Sequence, residues 1–209
     1  MRTAELIERL SQNPAPVRSV VSAIAFALGL GALVSFAAMV IVLGFRPDFA
    51  AAIHTWQYWL KFFYPLVLAL IAGRVTERLA RPGASAYAVW IAVPVGFIAL
   101  AALAQWFAMP PALHQHLLMG NSSTMCPWRI VALSLPLLLA AFWGLRRMAP
   151  TRPMLAGAAA GLFAGASGAW IYAFACTETS AVFLAVWYTA GIALTALLGA
   201  LAGRWALRW

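Results

Sequence analysis

Charge is what this sequence has least of. Only 9% of its 209 residues are charged, against about a quarter in an ordinary soluble domain. Acidic residues number five, and Lys occurs once, as Lys61. A chain so poor in charge, 65% hydrophobic and with a mean hydropathy of +0.89, is not built around water as its main solvent. Cysteine is scarce too. Cys126 and Cys176 make no disulfide framework, and no C-x-x-C occurs, so the patterns of a closed zinc site and of a dithiol oxidoreductase are missing. No cleavable leader is evident. The first apolar run is roughly 25 residues long, beyond the 7–15 or so of a signal h-region, and follows an 18-residue polar stretch; the first helix is expected to be retained.

What the sequence does have is long apolar runs. A bilayer core about 30 Å thick needs roughly 20 apolar residues as helix. Six runs meet that length: Ser19–Gly44, Trp56–Gly73, Ala86–Phe107, Trp128–Leu145, Met154–Ala175 and Val182–Gly203. The expected fold is an all-α six-transmembrane-helix bundle, residues 19–209, preceded by a polar segment, residues 1–18. Pro65, Pro94 and Pro136 fall inside spans two, three and four and predict kinks, either ordinary membrane-helix prolines or hinges. Gly157, Gly161 and Gly165 recur at four-residue spacing in span five, and "GIALTALLGALAG" repeats the habit in span six; such faces let helix backbones approach closely.

The net charge of +9 is consistent with nucleic acid as a partner, but the arginines fall between apolar runs and not on one continuous face. They set an orientation instead. One side collects Arg2, Arg9, Arg18, Arg74, Arg78, Arg81, Arg146, Arg147, Arg152, Arg204 and Arg208; the other holds Arg46, Lys61 and Arg129. Positive charge stays in the cytoplasm, so both termini are expected there. Trp56, Trp59, Trp106 and Trp128 then mark outer helix ends, and Trp90, Trp143, Trp205 and Trp209 inner ones. Lys61 and Arg129 lie near the outer ends and are expected to snorkel. No Asp, Glu or His occupies a predicted midplane, which argues against a pump or secondary transporter.

In this frame Cys126 opens span four and Cys176 closes span five, both on the outer side. The midpoint of 126 and 176 is Thr151, in the turn between the two spans, so antiparallel helices lift both sulfurs to the same height. Two readings stay open. One is a structural disulfide, formed in an oxidising compartment such as a periplasm if the Cα atoms come within about 4.4–6.8 Å. The other is a thiol or metal sensor. All three histidines are on the same side; His114 and His116, with Glu178, Met125 and the thiols, are the candidate ligands of a soft or borderline metal, bound transiently if at all. At the other end of the chain, Leu6, Ile7 and Leu10 form a short apolar face with Arg9 turned away, ended by Pro14 and Pro16. A segment this short is unstable alone; it folds into a partner's groove or lies in the lipid interface.

The motifs Cys126-Pro127-Trp128-Arg129, Ala149-Pro150-Thr151-Arg152-Pro153 and Cys176-x-Glu178 leading to Trp187-Tyr188-x-x-Gly191 resemble the NrsF family of bacterial anti-sigma factors, along essentially the whole chain. The resemblance implies a non-enzymatic inner-membrane protein that holds an extracytoplasmic-function sigma factor inactive. It also implies release of that partner when Cys126 and Cys176 meet heavy-metal or oxidative stress. The implied sigma contact is the N-terminal segment: Leu6, Ile7, Arg9, Leu10, Pro16 and Arg18. Only Arg18 stands where the resemblance leads one to expect more arginine, so the short inner connectors are further candidates. Two other classes compete: a small metal or solute permease, and a membrane thiol oxidoreductase, which would want a second cysteine pair to pass electrons onward.

Overall fold

The computed structural model of the chain describes residues 20–81, 88–148 and 150–208. The expected sigma contact, Leu6, Ile7, Arg9, Leu10, Pro16 and Arg18, lies outside the described residues. Among those described there is no strand, and six helices are long and apolar enough to cross a membrane. They are α1 (Val20–Val42), α2 (Trp56–Leu79), α3 (Ala92–Ala108), α4 (Cys126–Arg146), α5 (Pro153–Tyr172) and α6 (Ala181–Ala206). Each falls on an expected span, with α2 running six residues beyond Gly73 and α3 beginning six after Ala86.

Local chemistry explains several boundaries. Pro127 and Pro153 stand in the first turns of α4 and α5, where a missing N–H leaves no helical bond unmade. Pro94 is the third residue of α3, entered through a 3₁₀ turn at Ala88–Ile91; the expected mid-span proline thus sits where it disturbs nothing. Pro65 and Pro136 do lie in helix interiors. The connector before α4, read from sequence as loop, contains a 3₁₀ turn at Pro111–Leu113 and a helix at His114–Met119. α6 departs from regularity at Leu184–Tyr188, one turn of π-helix.

Successive long helices run in opposite directions. One end of the bundle gathers Val42, Trp56, Ala108, Cys126, Tyr172 and Ala181, and is called the cysteine end below. The other carries Arg74 and Arg78 of α2, Arg146 at the end of α4, Arg152 just before α5 and Arg204 of α6. The tightest pairing is α5 with α6: a Cβ on Gly157 would run into the Gly199 carbonyl, one on Gly161 into the Thr195 carbonyl, and one on Gly203 into the Pro153 carbonyl. Such seams gain their stability from backbone-to-backbone packing. Large apolar side chains cover the perimeter, with Phe26, Ile41, Phe97, Phe107 and Leu139 mostly exposed. An apolar perimeter on six helices of this length is consistent with a multi-pass membrane protein.

Candidate functional site

After α5 the chain leaves helix and crosses to α6 through Cys176–Ser180, a stretch with no regular structure. Backbone polar groups in such a stretch need partners from elsewhere, and three neighbours supply them. From α2, the Lys61 ammonium donates to the Cys176 carbonyl at 2.6 Å and to the Glu178 carbonyl at 2.8 Å. From α3, Gln105 Oε1 accepts from Ala181 N at 2.7 Å and from Ser180 Oγ at 3.1 Å. Ser180 Oγ in turn accepts from Phe183 N, so together they cap the start of α6. From the connector before α4, Asn121 N and Ser122 Oγ donate to the Glu178 carboxylate at 2.7 and 3.1 Å. Gly120 makes that approach feasible: it has a positive φ of 50°, and a Cβ there would overlap the Glu178 carboxylate. Trp187 adds a further tie through its indole N–H to the Leu118 carbonyl, 2.7 Å.

The two thiols lie under this cap. Both are free; Cys126 is 0% exposed and Cys176 4%. They lie within electrostatic reach of each other and of Lys61. Two tyrosines close the site. The Tyr172 and Tyr188 rings are 5.8 Å apart between centroids, and Lys61 Nζ lies 5.7 Å from the Tyr188 ring. The Tyr188 phenol is fully buried beside Cys176, and its hydroxyl has no hydrogen-bond partner among the described residues. Tyr188 is the last residue of the π turn, whose extra residue per turn resets the direction of the side chains around it. Thr189, next along, bonds the Tyr64 hydroxyl of α2 at 2.7 Å.

On the rim, Arg129 Nη1 reaches the Tyr172 hydroxyl at 3.4 Å. A polar cleft of about 200 Å³ opens there, lined by Val42, Leu43, Ser122, Arg129, Tyr172, Ala175, Cys176 and Thr177. Beside it, Arg46 donates through Nε and Nη2 to the two Asp48 oxygens, 2.7 Å each. The guanidinium is 1% exposed and the carboxylate 52%. That double hydrogen bond holds the Asp48 carboxyl below the usual carboxylate range and the Arg46 guanidinium above its own ordinary value. Backbone joins the same region, Arg46 N donating to the Phe174 carbonyl at 3.1 Å.

Several sequence expectations meet this geometry differently. Cys126, Cys176 and Glu178 come together at one end of the bundle. His114 does not join them: its ring stacks on Trp106 at 3.9 Å, and Nε2 faces the Trp106 and Met109 carbonyls at 2.9 and 3.1 Å. His116 and Met125 are both exposed, and the Glu178 carboxylate is already engaged by Asn121 and Ser122. Among the described residues no three His, Cys, Asp or Glu side chains converge as metal ligands. Lys61 is a correction. It does not snorkel outward but is 0% exposed, because two carbonyls of the connector need its donors more than the interface does. Sequence reasoning missed Gln105 and Tyr172 altogether, and met Tyr188 only as part of a family motif, without a role. Lys61 had a signal, as the chain's single lysine inside an apolar run; Tyr172 had none that separates it from ordinary core.

Comparison with known proteins bears on the same residues. Residues 10–209 match the family NrsF, described as negative regulator of sigma F. The chain belongs to the NrsF family. The anti-sigma-F factor NrsF of Caulobacter vibrioides (strain NA1000 / CB15N) is 42% identical over 221 residues, covering all of both chains. The probable anti-sigma-F factor NrsF of Azospira oryzae (strain ATCC BAA-33 / DSM 13638 / PS) is 34% identical over 213 residues, again covering both chains completely. No solved structure matches. The NrsF match begins at residue 10, so Leu6, Ile7 and Arg9 precede it, whereas every residue of the cysteine end falls inside.

Proposed function

We propose that this chain is an anti-sigma factor of the bacterial inner membrane that sequesters an extracytoplasmic-function sigma factor at its arginine end and releases it when Cys126 and Cys176 react. Membership of the NrsF family supports the anti-sigma role. The apolar perimeter and six long helices support membrane residence, and the excess of arginine at one end supports a cytoplasmic placement of that end. Residues 1–18 supply the partner contact, assisted by the inner connectors.

The observation that carries the sensing part is the burial of two free thiols beneath a connector pinned from α2, α3 and the segment before α4. A bulky or charged adduct on either sulfur, a disulfide or a thiolate-bound soft metal changes the volume and polarity under that cap. The Lys61 and Glu178 ties cannot all persist, and the start of α6 moves relative to α2 and α4. The glycine seam of α5 and α6 carries that movement toward the arginine end. Coupling of this kind requires the modified thiols to favour one bundle arrangement over another. Shifting a partner from mostly bound to mostly free takes roughly 5 kcal/mol of such preference. Metal acts on the thiols themselves, without a resident centre.

The test is capture of the sigma factor by the full chain in lipid nanodiscs, with thiols reduced, oxidised or treated with a soft metal, and with Ser at both cysteines. Binding to the reduced chain that falls at least tenfold on oxidation, and does not fall in the double-Ser variant, is the expected result. Binding indifferent to thiol state would overturn the sensing role and leave the anti-sigma role; absence of binding in every state would overturn both.

A further inference from the structure

We infer that the polar cleft beside Arg129 is the entry port of the site, that it admits small anionic thiol reagents, and that Cys176 is the thiol that reacts first. This rests on the reading of the two cysteines as the responsive groups. The two sulfurs are not equivalent. Cys176 borders the cleft of about 200 Å³ and keeps 4% exposure, whereas Cys126 keeps none and does not border it. Cys126 is the first residue of α4 and lies beneath the connector, so a reagent arriving from the cysteine end meets Cys176 before Cys126.

The lining sets the charge that is welcome. Among the described residues that border the cleft, Arg129 is the only charged side chain, and it is exposed. Its described hydrogen-bond partner is a neutral phenol, the Tyr172 hydroxyl. Two carboxylates stand near: Glu178 accepts from Asn121 N and Ser122 Oγ, and Asp48 is paired with Arg46. The hydroxyls of Ser122, Tyr172 and Thr177 add neutral polar groups to the walls. A cleft whose described lining carries one cation and no carboxylate favours anions. With a methanethiosulfonate as probe, the Cys176 thiolate attacks the sulfenyl sulfur, methanesulfinate leaves with the electron pair of the broken S–S bond, and the thiol proton goes to solvent; thiolates are the attacking form in all such exchanges.

The experiment uses the full chain in nanodiscs, as C126S and C176S single variants, labelled with the sulfonatoethyl (anionic), trimethylammonioethyl (cationic) and hydroxyethyl (neutral) methanethiosulfonates and read by intact mass. Cys176 is expected to label about tenfold faster than Cys126 with every reagent, and about fivefold faster with the anionic than with the cationic one, an amount in line with one charge at short range in partly screened surroundings. R129Q should erase the charge preference and leave the neutral rate unchanged. Equal rates at the two cysteines, or a preference that survives R129Q, would overturn the inference. Should a Ser variant fail to fold, proteolytic mapping of the first modified cysteine in the unsubstituted chain separates the same two outcomes. The readout is chemical, so it is independent of the sigma factor. A chain that labels as expected but holds its partner regardless of thiol state refutes the sensing role and not the port; one that releases its partner but labels indifferently refutes the port alone.

Discussion

The pair α5 and α6 is closed at its two ends by opposite means. Toward the arginine end the backbones nearly touch: Gly157 and Gly161 face Gly199 and the Thr195 carbonyl, and Gly203 faces Pro153. What closes the seam there is backbone shape. Toward the cysteine end the same helices part to admit Tyr172 and Tyr188, and the gap is bridged by specific polar contacts from Lys61, Gln105, Asn121 and Ser122. A shape-closed seam has one good arrangement and resists change. A cap of individual hydrogen bonds has as many failure points as it has bonds. The difference places a rigid end next to the arginines and a convertible one around the thiols. The cations divide in much the same way, apart from Arg129, which is exposed on the rim of the cysteine end. Arg74 and Arg81 are 84% and 63% exposed, with surface pairing to Glu77, and Arg147 lies flat on Trp143 at 3.9 Å. Lys61 and Arg46 are buried. Exposed pairs contribute little to stability, so little of the fold depends on those at the arginine end.

The comparison breaks most severely at the seam. In G161A the new methyl collides with the Thr195 carbonyl and with Ala196 Cα, backbone atoms that cannot rotate away. The expected loss is about 3 kcal/mol, the upper part of the range for overpacking, read as a fall in thermal or denaturant midpoint in detergent. G29A is the contrast: a Cβ at Gly29 meets nothing within 4 Å, so its effect should stay within about 0.5 kcal/mol. Equal effects at the two glycines would mean that the seam is not where the helices are locked.

A smaller effect is expected from the cap. K61M keeps most of the side chain's volume and removes the donors, leaving the Cys176 and Glu178 carbonyls unpaired. The cost of two such groups is offset by no longer burying an ammonium, for a net loss of about 2 kcal/mol. The sharper sign is local. Hydrogen exchange at residues 176–181 should rise well beyond that at residues 157–161, because only the cap has lost its ties. Uniform loosening of both regions would show that Lys61 supports the whole bundle and not one end.

How much of this is legible in the sequence follows the same division. The seam can be read directly, since glycines at four-residue spacing in an apolar run have few other uses. The six spans can be read because the membrane-length requirement is written in composition. The cysteine pair's common height follows from the symmetry of the α4–α5 hairpin about Thr151. The cap cannot be read. Lys61, 115 residues from Cys176, finds its carbonyls only through tertiary packing, and the π turn that precedes Thr189 has no sequence signature. His114 misleads for a related reason. A histidine near cysteines suggests a ligand, but the helix at His114–Met119 turns it back onto Trp106, a contact that loop residues would not have made.

The smallest expected effect separates the two ends by pH. Among the described residues, Asp48 is the carboxyl held down by a buried cation, through the double hydrogen bond from Arg46. A carboxyl with a lowered folded-state pKa stabilises the protein fully above its unfolded value and loses that contribution as pH falls through the lower folded one. Thermal stability should therefore be flat through neutral pH and decline only in acid, below the ordinary carboxylate range. With half of the Asp48 carboxylate in water, the amplitude should remain under about 1 kcal/mol. D48N, which keeps an acceptor for the guanidinium but no charge, should flatten that acid limb, so that the two curves converge at low pH. The arginine end has no comparable buried pair among the described residues, and Glu77→Gln there should leave the acid limb as it is. If E77Q flattened the curve and D48N did not, the acid response would belong to the exposed arginine end, and the contrast drawn between a polar, convertible cap and a shape-closed base would fail at the point where it is easiest to measure.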